Sequence, residues 1–246
     1  MKAILCLLIL VSSTYNLYAA EGESGKLSHE SEAGVILSSG NSDTQTYNVK
    51  QATSYAVTGN TIKFTSGYLL GKTGGTETAK KWDLGLRYER VLTGDLSAFL
   101  GYQIDSSPFS GTDLRHTTDV GGKFQFVKSE STAAFAELGY RLTAETFTTN
   151  NGSTTNGSLT SHMSRAYLEW LQNWNKAFAS KLWAEYLQSY TNTRDSRFNV
   201  EPSLSVLLSE VFSLKMAYLI SYRNVPAVAG KKQTDTLFTT SLVAKF

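Results

Sequence analysis

Q-T-D-T-L-F-T-T-S-L-V-A-K-F, residues 233 to 246, is the stretch from which the fold can be read. Thr236, Phe238, Thr240, Leu242, Ala244 and Phe246 alternate with Asp235, Thr239, Ser241 and Lys245, with Leu237 and Val243 as apolar exceptions on the second side. A period of two places alternate side chains on opposite faces of a strand. The segment is long for a strand of a soluble domain, where about 5–6 residues are usual. It has the reach of a tilted strand crossing a bilayer.

Working back from this segment, the same alternation recurs along the chain. Its clearest instance is residues 81–89, where Trp82, Leu84, Leu86 and Tyr88 face away from Lys81, Asp83, Arg87 and Glu89. Similar runs begin at residues 30–38 and continue at 44–57, 61–70, 96–105, 115–127, 132–145, 163–173, 178–190, 197–208 and 212–222. With the closing segment they make about twelve strands. Clusters of Gly, Ser, Thr and Asn punctuate them. Pro202 sits inside one run, where a missing N–H is awkward for pairing and suggests a bulge. Charges within the runs lie opposite the apolar face. Connections alternate between short ones, near Gly59, residues 90–95, 128–131, 173–177 and 209–211, and generally longer ones, including 71–78, 106–114 and the low-complexity 146–161. A soluble β-sandwich would also segregate charge from apolar groups. The short-long alternation and the long strands favour the other solution, an all-β, transmembrane, antiparallel up-and-down β-barrel of about 12 strands.

The N-terminus adds a location. Lys2 precedes an apolar core at residues 3–11, too short to span a bilayer, and small residues follow at Ala19 and Ala20. This predicts a signal peptide over residues 1–20 and a barrel domain over residues 21–246. Cys6, the one cysteine, falls in the leader, so thiol and disulfide chemistry are not expected of the exported chain. No further run of about 20 apolar residues exists, which excludes a helical membrane protein. Mean hydropathy is slightly polar, as it is for barrels in which lumen and lipid faces cancel. The formal net charge is +2 and no basic patch stands out, so nucleic acid is not an expected partner.

The closing segment resembles the last strand of bacterial outer-membrane barrels, which typically ends in Phe and addresses the chain to the barrel-assembly machinery; Ser241 stands where that signal often has Gly. The chain as a whole resembles the DUF481 family, whose members are labelled salt-induced outer-membrane proteins. The segments that carry this resemblance are E-A-G-V-I-L-S-S-G-N-S-D-T at 32–44, L-G-L-R-Y-E at 84–89, the run at 214–222, and G-K-K-Q-T-D-T at 230–236. The resemblance implies an outer-membrane barrel embedded in lipid and a link to salt or osmotic stress. It supplies no established activity and no functional residues.

Candidate residues therefore come from the pattern alone. His29, His116 and His162 lie near strand ends on three different strands, without the spacing of a metal site or an acyl-transfer triad. Neither an enzyme nor a cofactor is expected. The inward charges are the candidates: Arg87, Arg115, Asp119, Lys123, Glu137, Arg141, Arg165, Glu169, Lys181, Glu185, Arg197, Glu201 and Lys215. They fit two readings. In one they line a narrow passive channel for ions or small polar solutes. In the other they pair across strands and close a structural or surface-interaction barrel, which the near balance of signs slightly favours. Tyr68, Trp82, Tyr102, Tyr140, Trp170, Phe212 and Phe246 read as aromatic girdles at the membrane interfaces.

Overall fold

The computed structural model describes residues 25–38, 44–147, 157–226 and 232–245. The leader at 1–20 with Cys6, the turn at 39–43, the middle of the 146–161 loop, the Gly230–Lys231 part of the motif at 230–236, and Phe246 lie outside these residues. Twelve antiparallel strands follow one another round a closed barrel: β1 Lys26–Ser38, β2 Thr44–Val57, β3 Asn60–Thr73, β4 Thr76–Thr93, β5 Leu96–Ser107, β6 Thr112–Lys128, β7 Thr132–Phe147, β8 Gly157–Asn173, β9 Phe178–Ser189, β10 Ser196–Leu207, β11 Phe212–Arg223 and β12 Thr234–Lys245. Each strand pairs with its predecessor, and β1 meets β12 to close the ring. The even strand number returns both ends of the barrel domain to one rim.

Which face points outward separates a membrane barrel from a soluble sandwich. Large apolar side chains cover the outside and are open to the surroundings: Leu138 is 71% exposed and Leu100 54%. In water this arrangement would forfeit the hydrophobic driving force; in lipid it is the stable one. Tyr68, Tyr102, Tyr140, Trp170 and Phe212 are exposed on this outer wall, and Trp82 pairs with Tyr68. Asp119, Lys123, Glu137 and Arg141 face the lumen, where a charge avoids the roughly 2–4 kcal/mol that a lipid-facing Lys or Arg would cost at mid-bilayer.

The rim bearing the turn at Thr58–Gly59 has short connections throughout, such as Gly94–Asp95 between β4 and β5. The opposite, loop-bearing rim is less uniform than the sequence suggests. The predicted loop at 71–78 is mostly strand, and β3 turns into β4 through Gly74 and Gly75 alone. Both have positive φ, 56° and 81°, the conformation that a two-residue hairpin of matching twist requires. The predicted loop at 106–114 contracts to a single 3-10 turn, Pro108–Ser110, followed by Gly111. Strands extend beyond their apolar belts: β4 runs 18 residues, and β6 and β8 run 17 each. About 9–11 tilted residues suffice to cross the hydrocarbon. The surplus stands above the belt at the loop rim.

Pro202 makes no bulge. Pairing of β10 with β11 stops after Val200 and resumes at Ser203 in the same register, while Pro202 stays paired to Leu182 of β9. The interruption leaves Glu201 and Pro202 without a β11 partner and inserts no residue. Register shifts occur instead at Gly71/Lys72, Val91/Thr93, Asp105/Ser107 and Gln125/Val127.

Candidate functional site

Strand parity brings all thirteen candidate charges to the inner face. Most of them meet in two networks. The first lies at mid-height against the wall formed by β4 to β9. Arg87 of β4 reaches across two intervening strands to Glu137 of β7, with N–O distances of 2.6 and 3.2 Å. Arg165 of β8 approaches the same carboxylate at 2.6 Å and Glu185 at 2.7 Å. Arg141 forks onto Asp119 at 2.7 Å through both nitrogens and also contacts Glu185. Lys123 and Arg87 share Glu89. Such forked Arg–carboxylate contacts fix geometry as well as charge.

The long reach of Arg87 depends on what lies beneath it. Phe99 of β5 is buried, and the Arg87 guanidinium lies over its ring at 4.0 Å from the centroid. Phe99 in turn lies over Gly121 of β6. A Cβ on Gly121 would fall 2.8 Å from the Phe99 ring and 2.8 Å from the Gly139 Cα, closer than atoms pack. The glycine is a floor that lets the ring, and hence the arginine, lie flat against the wall.

The second network sits at the loop rim. Arg115 forks onto Asp105 at 3.0 and 2.8 Å. Arg223 of β11 approaches Glu145 of β7 at 3.3 Å, and Arg197 of β10 comes within 3.8 Å of it. Thr112 donates a hydrogen bond to the same carboxylate at 2.7 Å, and Arg197 also holds Asp195 at 2.9 Å. Glu145 thus ties together strands that are four apart in the ring. Of this cluster only Arg115 and Arg197 are among the sequence candidates. Asp105, beside Ile104 at the end of the run at 96–105, could have been nominated by parity; Glu145, Asp195 and Arg223 lie where the apolar alternation fades, so nothing in the pattern marked them.

The remaining candidates are more local. Lys215 pairs with Glu32 at 2.9 Å, a carboxylate that also accepts from Asn48 and Ser241. Lys181 pairs with Glu169 at 3.0 Å, and Tyr167 donates to Glu169 at 2.6 Å. Tyr167 stacks on Trp183, ring centroids 6.0 Å apart, and Phe135 adjoins it at 5.8 Å, forming an aromatic ledge toward the turn rim. Among the described residues Glu201 faces inward without an ion pair, as do Asp235, Lys63 and Asp83. Parity alone could have nominated these last two.

The side chains do not fill the barrel. A cavity of about 1070 Å³ extends from Lys80, Pro226 and Lys232 at the loop rim to Lys63, Tyr167 and Trp183 deep in the lumen.

The histidines take no part in this interior. His116 and His162 lie on the outer wall, hydrogen-bonded to Tyr102 and Tyr140 of the neighbouring strands. His29 contacts Thr53 and Ser31. Among the described residues no three His, Cys, Asp or Glu side chains group as metal ligands.

A family profile described as "Protein of unknown function, DUF481" matches residues 31–246. The chain belongs to the DUF481 family. No curated protein matches this DUF481 chain in sequence. Among solved structures, it is similar to an outer-membrane channel from Pseudomonas putida F1, with 9% identity and a TM-score of 0.54 over 94% of this chain and 100% of the other. It is also similar to the translocator domain of the autotransporter NalP from Neisseria meningitidis, with 12% identity and a TM-score of 0.49 over 93% and 90% of the two chains. At such identities the likeness is one of fold. The DUF481 chain has the fold of outer-membrane β-barrels, and its lumen chemistry is read from its own residues.

Proposed function

We propose that this DUF481 chain is an outer-membrane protein that acts as a narrow passive channel for ions and small polar solutes. Its turn rim would face the periplasm and its loop rim the exterior. The observation that carries the reading is the cavity of about 1070 Å³ inside the ring. A twelve-stranded barrel lies between those packed solid with side chains and those enclosing a wide aqueous pore. Here the side chains gather against the wall. Arg87 lies flat on Phe99, and Arg141 and Arg165 are held by Asp119, Glu137 and Glu185. The charges are anchored, so they line a water path without hanging across it. The resemblance to salt-induced proteins makes osmotic adjustment the fitting physiological setting.

One observation favours the second reading, a closed structural barrel: the Tyr167–Trp183 stack with Phe135 stands where the cavity ends. Single-channel conductance of the refolded barrel in a planar bilayer separates the two. Steady conductance whose ion preference changes on Arg141→Glu supports the channel. A heat-modifiable, folded barrel that passes no current overturns it.

A further inference from the structure

The formal charges of the lumen nearly balance, but their exposure does not. In several pairs the carboxylate sits against the wall and the cation stands in front of it; at Asp119 the order is reversed, 19% exposed against 14% for Arg141 and 8% for Arg165. Glu32, Glu137 and Glu145 side chains are 4%, 3% and 1% exposed, whereas Lys50, Arg87 and Arg115 are 40%, 27% and 27% exposed. Among the described residues, the cavity is lined by ten Lys and Arg but by four Asp and Glu. The other carboxylates that hold these arginines, Glu89, Glu137, Glu145 and Asp195, lie behind them and outside the lining. Lys63 stands in the deep part of the cavity, exposed, with no carboxylate of the described residues within ion-pair distance. Among the described residues three inward carboxylates have no ion pair: Asp83, folded over Gly67, and Glu201 do not line the cavity, whereas Asp235 lines it near the loop rim.

This layering matters because charge is felt at short range. At physiological ionic strength the screening length is about 8 Å. A solute in the cavity meets ten guanidinium and ammonium groups at contact against four carboxylates, those of Asp105, Asp119, Glu185 and Asp235. Guanidinium edges that remain open to water present paired donors suited to oxyanions.

We infer that the lumen selects anions, and that its preferred solutes are small organic or inorganic oxyanions. This rests on the channel reading and names its substrate class. The layering has a simple origin: each carboxylate is short and stays near its strand, whereas Arg and Lys extend further and carry their charge toward the axis.

The test is the reversal potential of the full refolded barrel in a planar bilayer under a potassium chloride gradient, repeated with potassium acetate and potassium phosphate. Chloride permeates faster than potassium, and acetate and phosphate also carry current. Lys63→Glu, at an exposed position that leaves every described ion pair intact, lowers the anion-to-cation permeability ratio roughly two-fold or more. Its heat-modifiability on gels confirms that it folds. Potassium preference in the parent barrel, or a ratio unmoved by Lys63→Glu, overturns the inference while leaving the channel standing. A barrel that passes no current overturns both.

Discussion

At the scale of single residues, Glu137 is the carboxylate through which Arg87 is tied to Arg165 at mid-height. It is buried and receives both Arg87 and Arg165 at 2.6 Å. Glu137→Gln keeps the shape and removes the charge, leaving two arginines against the wall with weakened partners. Breaking a buried pair in this way costs about 3 kcal/mol or more. The temperature at which the refolded barrel loses its compact gel mobility is expected to fall accordingly; an unchanged temperature would show that these pairs contribute nothing net. Gly121→Ala tests the floor under Phe99. The added Cβ has no room between the ring and Gly139, so the same assay is expected to register a loss, together with displacement of Arg87 and a changed conductance. The inward residues were legible in the sequence wherever an apolar partner face gave the parity: Trp82, Leu84 and Leu86 fix Arg87 as inward. Glu145, Asp195 and Arg223 were not legible, because near the loop rim both faces of the strand are polar and alternation carries no contrast.

At the scale of elements, the same loss of contrast explains why strands were read short. Hydrophobic alternation reports the lipid belt, not the strand. β4 runs Thr76–Thr93, yet only residues 81–89 alternate cleanly. Above the belt, backbone pairing continues without an apolar face to advertise it. The joint between β1 and β12 is the weak element of the ring. Its register holds from Glu30–Lys245 to Ala33–Leu242, whereas β1 and β2 stay paired along the whole of β1. At the end of that short joint lies Gly34. A Cβ there would fall 2.6 Å from the Thr240 carbonyl oxygen and 2.9 Å from Ser241 Oγ. Gly34→Ala is therefore expected to pry the joint open, with amide hydrogen exchange rising in β12 more than in β6 or β7. Equal exchange in all three strands would argue that the joint is as firm as the rest.

At the scale of the whole molecule, the barrel is lopsided. Its wall is taller on the side of β4 and β6 to β8, and its mid-height ion pairs crowd the same side. The aromatic ledge stands where the cavity ends. On the proposed channel reading, Trp183→Ala is expected to raise single-channel conductance, because the ring beside Tyr167 occupies space at the inner end of the cavity. A conductance unchanged by this substitution would place the narrowest point elsewhere. The closed antiparallel ring and its strand number were legible from alternation and turn chemistry. The unequal exposure of its charges was not, since a sequence gives the sign of a side chain and not the depth at which its neighbours leave it.

The crowding of mid-height ion pairs on one wall also has a consequence in time. Arg87 and Glu137 are 50 residues apart, and Arg165 and Glu137 are 28 apart, whereas the joint that closes the ring brings Glu30 to Lys245. Because β4 to β9 are consecutive, a curved sheet of these six strands already contains every partner the mid-height network needs. The mid-height arginines can thus find their carboxylates while the ring is still open, whereas the Lys215–Glu32 pair forms only when it closes. The final strand then has only to find its edge. For this molecule, matching the mid-height charges does not require the vessel to be closed.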